Sequence, residues 1–460
     1  MTENYTITEE NGVKVITANF WENSEHKLGT FMEDTDYDML VEDDADFYAP
    51  PSFGEENGEQ NIIFKYRRGI FTEEEQLGAY DALRDAAVET QNRGIAAGPR
   101  GEILSSSGRG GREWVTPFQQ EVLSWLGRPL SALYEDETID DIRARHENSP
   151  NKDETRGVVW MRSEVTKEYP DYYGWFDQWI ETTLKLSREE QIEEANRITK
   201  KFISDTNYAQ SVMSGIAGFY DRYPRIPYGR ETSYTEKNFD QYTGCYPFMR
   251  KLSTKFAELL PERYGKQVKQ ANKLDDRFRV SGKDTPFTTI TVNKNFRTAA
   301  HRDAGDLTEG FSNLSVIAKD KVWSGGYLVL PEFRVAVNIR PGDLLLINNH
   351  EGIHGNTPLL PPEGKAIEDM ERISLVCYFR EKMLELGEWE YEKTRKEFVE
   401  DRRKDKDHPM QRPLWNGVSP GMFESQEWYD YLLANGGSNM LNFYHPEATQ
   451  EKSTLEDFFA

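Results

Sequence analysis

The sequence predicts an α+β protein, a two-sheet jelly-roll core flanked by helical N- and C-terminal regions. Three observations predict it. From Phe287 to Phe379 the chain breaks into short β-rich runs separated by turn residues, at the spacing of an all-β sandwich. On both sides of that stretch lie charged, helix-favouring segments rich in Glu, Lys and Arg. Histidines gather inside the β-rich stretch, with three of the seven between residues 301 and 354.

Composition narrows the class. At 460 residues the chain exceeds one small core, so one large domain with extensions, or two to three domains, is expected. Mean hydropathy is −0.76 and no long apolar run occurs, so no membrane span is expected. The start Met1-Thr-Glu-Asn-Tyr5 lacks the basic-then-apolar pattern of a signal peptide. Two cysteines, Cys245 and Cys377, fit a reducing compartment and leave no expectation of a disulfide-linked partner. A soluble intracellular protein is therefore expected, cytoplasmic or nuclear according to its host.

Residues 1–60 read as an acidic, flexible arm. They carry 16 acids against Lys14 and Lys27, out of a net charge of −24 for the whole chain. Eight of those acids lie between Glu33 and Asp46. A solvated tail is one reading, and a mimic of phosphate charge over a basic cleft is the other. Asp34-x-Asp36-x-Asp38 is not a calcium loop, because Met39 stands where glycine is needed and Ala45 where a bidentate Glu is needed.

Residues 61–215 read as mainly helical. A helix is expected from Thr72 to Asn92, with Thr72 and Glu75 as a capping box. The loop Ser105–Arg112 offers Arg109 and Arg112 to a phosphate backbone, or is an exposed connector; it lacks the Lys-Ser/Thr of a P-loop. Residues 115–215 follow as charged helix with Trp160, Tyr172, Trp175 and Trp179 as core anchors. An irregular stretch to Tyr228 and a helix Phe248–Glu262, ended near Gly265, lead into the strands.

The core is placed at residues 216–382. Its expected strands are Phe287–Asn293, Ser312–Ala318, Tyr327–Leu330, Arg334–Ile339, Asp343–Asn348 and Arg372–Phe379. Residues 383–460 return to a charged helix, Glu388–Lys404, and a loop-rich aromatic tail.

The chemistry sits at strand ends. In His301-Arg-Asp303, residues i and i+2 of an extended segment point the same way, so His301 and Asp303 can meet one metal while Arg302 faces elsewhere. The strand Asp343–Ile347 delivers His350 and His354. His354 is the favoured third ligand, because Gly355-Asn356-Thr357-Pro358 would hold its imidazole in a tight turn; His350 is the alternative, or a pocket residue. Two imidazoles and a carboxylate are the donors of a non-haem Fe(II) site with open positions. Arg372 and Ser374 share a face of the last strand and suit a dicarboxylate co-substrate such as 2-oxoglutarate, with Arg380 as the rival arginine. His350-Glu-Gly-Ile-His354 also spells H-E-x-x-H, the zinc-peptidase pattern, but that pattern needs a helix, and Gly352 and the flanking strand oppose one.

The stretch Thr288–Asp306, with Gly325–Pro331, His350-x3-His354-Gly-Asn-Thr and Gly218-Phe-Tyr-Asp-Arg222, resembles the TET/JBP branch of the 2-oxoglutarate/Fe(II) oxygenases, and within it the base J thymine hydroxylases and their viral relatives. The resemblance covers roughly residues 210–380. It implies a double-stranded β-helix core, with His301, Asp303 and His354 as iron ligands and Arg372 as the 2-oxoglutarate anchor. It also implies oxidation of a pyrimidine C5-methyl group in DNA, consuming O2, with ascorbate as a stimulant. The animal TET cysteine-rich region has no counterpart here. On this reading Asn295, Arg297, Asp306, Tyr327 and His350 would line the substrate pocket, and Arg222, Arg225 and Arg230 would join Arg109 and Arg112 on the nucleic-acid backbone. An oxygenase acting on a protein or small molecule is the alternative; a binding module with a vestigial site is a third reading.

Overall fold

A computed structural model describes residues 4–53, 61–90, 93–99, 211–222, 226–303, 305–318, 323–404 and 425–449, with Ser187, Glu190 and Phe423 as isolated positions. Arg109, Arg112, Arg225 and most of the expected helical stretch 115–215 lie outside the described residues. The chain divides into two compact units. One comprises residues 1–102, 209–221 and 229–389, the other residues 103–208, 222–228 and 390–460.

The first unit is mixed α/β. Its strands are β1 (Tyr5–Glu10), β2 (Val13–Ala18), β3 (Met39–Val41), β4 (Ala45–Tyr48), β5 (Ile62–Arg67), β6 (Val88–Thr90), β7 (Val212–Tyr220), β8 (Arg230–Glu231), β9 (Thr289–Lys294) and β10 (Ser312–Ala318). They continue with β11 (Ser324–Gly325), β12 (Leu328–Leu330), β13 (Val335–Val337), β14 (Leu344–Ile347), β15 (Gly355–Asn356), β16 (Leu359–Leu360) and β17 (Arg372–Tyr378). An 11-stranded sheet runs β1-β2-β4-β5-β14-β10-β17-β9-β7-β6, with β8 beside β7. A four-stranded sheet runs β15-β12-β13-β3.

Every residue of β10 is buried, as a central strand covered on both faces requires. One face of the large sheet packs on helix α1 (Glu73–Leu83) and, after the short helices α2 (Ser233–Lys237) and α3 (Phe239–Thr243), on α4 (Tyr246–Leu259). There Phe71 stacks on Phe248 at 4.0 Å. On the other face Phe47, Phe64 and Phe333 close a core with β12, β13 and β14. Each such fully buried ring contributes roughly 1.5–3 kcal/mol.

Several sequence expectations are corrected. The arm is folded: β1, β2 and β4 extend the large sheet, and β3 pairs parallel with β13. Its acid count masked an apolar set, Tyr5, Ile16, Val41 and Phe47, all buried. Its acids find cations, Asp38 with Arg334 and Glu42 with Arg340. The Thr72 helix has its capping box but ends at Leu83, because Val88–Thr90 pairs instead with β7. Among the described residues of 61–215, strands β5, β6 and the start of β7 accompany this helix. The helix expected to stop near Gly265 stops at Leu259, and Pro261 opens a new helix, α5 (Pro261–Ala271), through Gly265.

In the second unit, helices α6 (Trp389–Lys404, from Glu390), α7 (Ser425–Ala434), α8 (Ser438–Tyr444) and α9 (Pro446–Thr449) gather Tyr391, Phe398 and Trp428 into one apolar cluster. No helix among the described residues is long and apolar enough to cross a membrane.

Candidate metal centre

The site is assembled by backbone pairing. β9 ends at Lys294, and Asn295, with φ +48°, turns the chain back toward the opening of β17. His301 then forms a two-way bridge with His354: the His301 amide donates to the His354 carbonyl at 2.9 Å, and the reverse bond is 3.0 Å. The residues after His354 are not the expected tight turn. Gly355-Asn356 is strand β15, paired with β12. Gly355 is required there, because a Cβ would lie 2.9 Å from the Ala300 nitrogen and 3.0 Å from Met32 Cγ.

This pairing brings His301, Asp303 and His354 together, with one donor atom of each within 4.8 Å of the others. His301 Nε2 is 3.5 Å from Asp303 Oδ1, and His354 Nε2 is 3.8 Å from Asp303 Oδ2. Their outer nitrogens are occupied: His301 Nδ1 lies 2.8 Å from the Ala299 carbonyl and His354 Nδ1 3.3 Å from that of Gly352. Such bonds fix the tautomer that leaves Nε2 free for a metal. Asn349 donates from Nδ2 to Asp303 Oδ2 at 3.1 Å and so orients the carboxylate.

Electrostatics fit the same use. Burial resists ionisation of Asp303, but the hydrogen bond from His301 and the two imidazoles outweigh it and hold the carboxyl at about 2. Burial and the neighbouring His301 push His354 down to about 4. Burial opposes protonation of His301 as well, yet its hydrogen bond and attraction to Asp303 leave its pKa raised. An ionised carboxylate and two imidazoles with converging lone pairs make a donor set suited to a divalent first-row metal with open positions.

The triad opens on a cavity of about 520 Å3, which Arg372 and Ser374 also line. Arg372 is buried, its Nε has no hydrogen-bond partner, and burial lowers its pKa to about 10. Among the described residues no carboxylate pairs with it. A buried guanidinium without an acid is suited to pair with an anion. Arg380 differs: Asp221 pairs with it at 2.9 Å and the Tyr220 ring lies 4.0 Å beneath it. Tyr220 and Asp221 of the Gly218–Arg222 motif thus hold Arg380.

The other expected residues are dispersed. Asp306 lines the cavity, buried, bonded to Ser312, and pushed well above the usual carboxylate range by burial and by Asp303. His350 lies 3.5 Å from Thr308 in a non-helical turn and outside the triad, which removes the zinc-peptidase geometry. Asn295 braces β17. Arg297 is engaged by the Met32 carbonyl and Glu33 at 2.6 Å each. Tyr327 lines a different cleft and meets Tyr37 edge-on. Arg222 pairs with Glu392, and Arg230 donates to the Asp221 carbonyl. Sequence reasoning missed Arg93, Asn293, Asn349 and Tyr378, which also line the cavity. Only Asn349 carried a signal, its place on the strand-to-histidine run.

Residues 215–381 match the family model described as the oxygenase domain of the 2OGFeDO superfamily, Tet_JBP. The chain is 35% identical over 171 residues to thymine dioxygenase JBP1-B of Trypanosoma cruzi (strain CL Brener), covering 36% of this chain and 19% of that protein. It is 33% identical over 174 residues to thymine dioxygenase JBP1 of Leishmania braziliensis, covering 37% and 20%. It is 34% identical over 185 residues to the bifunctional helicase and thymine dioxygenase JBP2 of Leishmania infantum, covering 40% and 16%. The match therefore spans a fifth or less of each relative's length. The solved structure of NgTET1 in complex with 5mC DNA aligns at 17% identity and a TM-score of 0.31, over 44% of this chain and 71% of that one, a likeness too slight to assign the fold. Residues 215–381, the span that matches the Tet_JBP oxygenase-domain model, hold the triad and Arg372.

Proposed function

We propose that the chain is an Fe(II)/2-oxoglutarate-dependent dioxygenase that hydroxylates the C5-methyl group of a pyrimidine base, thymine or 5-methylcytosine, in DNA. One observation carries the reading: a His-Asp-His donor set and an acid-free buried arginine open on the same cavity. On this reading the two sheets that sandwich the core are the double-stranded β-helix, and residues 216–382 are its catalytic span.

His301, Asp303 and His354 would hold Fe(II), and Arg372 with Ser374 would grip the distal carboxylate of 2-oxoglutarate. Iron and 2-oxoglutarate together supply the activation of O2 that places one oxygen atom in succinate, with loss of CO2, and the other in the methyl C–H bond. The protein's part is positional. Asn349 orients Asp303, the carbonyls of Ala299 and Gly352 orient the imidazoles, and Leu314, Leu328 and Val376 supply apolar wall to exclude water. A base in duplex DNA would have to leave the stack to reach this cavity, at about a few kcal/mol. Asp306 and Tyr378 are among the polar groups lining the cavity that would meet it.

The test is direct. The protein is incubated with Fe(II), 2-oxoglutarate and DNA containing thymine or 5-methylcytosine, and the digested nucleosides are analysed by mass spectrometry. A hydroxymethyl base is expected. Succinate production that DNA does not stimulate, with no oxidised base, would overturn the reading in favour of a protein or small-molecule substrate.

A further inference from the structure

Arg302 separates the two ligands of the His-x-Asp pair, and Ile353 immediately precedes the third. Both are held by one buried side chain. Glu332 lies in a short 3-10 turn, Pro331–Phe333, between β12 and β13, with its side chain 3% exposed. Its Oε2 accepts the Ile353 amide at 2.8 Å, and its Oε1 pairs with Arg302 Nη2 at 3.0 Å. The same guanidinium donates from Nε to the Glu351 carbonyl at 2.8 Å and from Nη1 to Glu25 Oε1 at 2.5 Å. We propose that Glu332 is a positioning residue for the metal ligands, holding the His301–Asp303 and Ile353–His354 segments in register through the Arg302 guanidinium and the Ile353 amide.

The physical case is geometric. A buried ion pair is weak as a source of net stability, because desolvation offsets most of the attraction. What this one supplies is direction. An apolar side chain could fill the space, but it could not accept the Ile353 amide and orient Arg302 at once. The two segments are also tied by the His301–His354 bridge and by the Asp303 amide donating to the Asn349 carbonyl at 3.0 Å, and Glu332 adds a side-chain link between Arg302 and Ile353. The 3-10 turn is itself anchored, as the Glu22 amide donates to the Glu332 carbonyl at 2.9 Å. The acidic N-terminal stretch therefore braces the ligand scaffold through Glu25 and Glu22, outside the span of the family match.

The inference rests on the reading of the triad as a metal site, and the experiment separates the two. Metal-free full-length protein is titrated with Co(II) alone, following both affinity and the visible spectrum of the bound ion. Glu332→Ala should weaken Co(II) by roughly 10- to 100-fold, the usual effect of losing an outer partner of metal ligands. Glu332→Gln, which keeps an acceptor for Ile353, should recover part of that loss. Arg302→Gln serves if Glu332→Ala fails to fold. Unchanged Co(II) affinity in a folded Glu332→Ala or Arg302→Gln variant sinks the proposal. So does an affinity loss matched by an equal drop in metal-free stability and not eased by Glu332→Gln. His301→Ala is the control: if it keeps wild-type affinity the metal reading itself fails, and if it alone loses affinity only the role of Glu332 is lost.

Discussion

Asn295 and Arg372 exchange two hydrogen bonds of 2.9 Å each: the Asn295 amide donates to the Arg372 carbonyl, and the Arg372 amide donates to Asn295 Oδ1. The exchange fixes the first residue of β17, where the candidate co-substrate arginine stands. Asn295 can make it because asparagine tolerates the left-handed backbone it adopts there. Asn295→Ala should destabilise the protein by about 2–4 kcal/mol, summing an unsatisfied buried amide and the left-handed penalty. Asn295→Gly should recover roughly 1 kcal/mol of that, since glycine carries no such penalty. Chemical denaturation of the two variants checks it, and equal losses would refute the backbone argument.

Arg372 should show opposite effects on binding and on stability. Truncating a buried arginine paired to a ligand carboxylate typically costs about 2–5 kcal/mol, so Arg372→Ala should weaken 2-oxoglutarate by roughly 30-fold to several thousand-fold. In the co-substrate-free protein, however, the guanidinium is buried without an acid. Arg372→Met, which fills the space without a charge, should therefore keep or raise the unfolding midpoint measured without 2-oxoglutarate. Arg380→Ala should instead lower stability by stranding buried Asp221. If Arg380→Ala abolished co-substrate binding and Arg372→Ala left it intact, the assignment would be reversed.

Metal binding should follow the titration of one histidine. His354, held at about 4, is already neutral at pH 6 and above, and Asp303, held at about 2, is already ionised. His301, raised above its ordinary 6.5, must lose a proton before it can ligate. Affinity for Co(II) should thus fall about tenfold per pH unit as pH drops below the His301 pKa, the slope of one displaced proton. Stability of the metal-free protein has two opposed parts. The raised His301 contributes fully below 6.5 and its contribution is lost as pH rises through its folded value. The depressed His354 contributes above 6.5, and that contribution is lost as pH falls toward 4. A two-proton slope in the metal titration would contradict the assignment of a neutral His354.

The triad was legible because its signals are local. Alternation along an extended segment places His301 and Asp303 on one side, and the Leu344–Ile347 strand points to His354. Ser312–Ala318 is legible to the residue for the same reason, as a run bounded by turns. What failed is long-range. Nothing near Arg297 foretells Met32 and Glu33, and nothing near Arg93 foretells a cavity some 200 residues further along the chain. The fold of the N-terminal stretch is not legible, because charge density outweighs a sparse apolar pattern that makes sense only against β13 and β5.

If residues 1–60 were a solvated arm, deleting them would leave the rest folded. In the structure Tyr5, Ile16, Val41 and Phe47 are buried against Phe64, Phe333 and their neighbours, and β4 covers the edge of β5. Losing those four side chains removes roughly 6–12 kcal/mol of burial, which rivals the entire stability of a typical domain. The deletion should also bare β5 and β13 as unpaired edges, an invitation to aggregation. A chain beginning at residue 61 is therefore expected to be insoluble, or to lose its native circular dichroism and resistance to limited proteolysis. By contrast, Asp43→Asn, which touches only the exposed pairs with Lys14 and Arg68, should leave the unfolding midpoint essentially unchanged. A truncated chain with a native midpoint and native metal affinity would restore the arm, and would also remove Glu22 and Glu25 from the scaffold of the metal ligands.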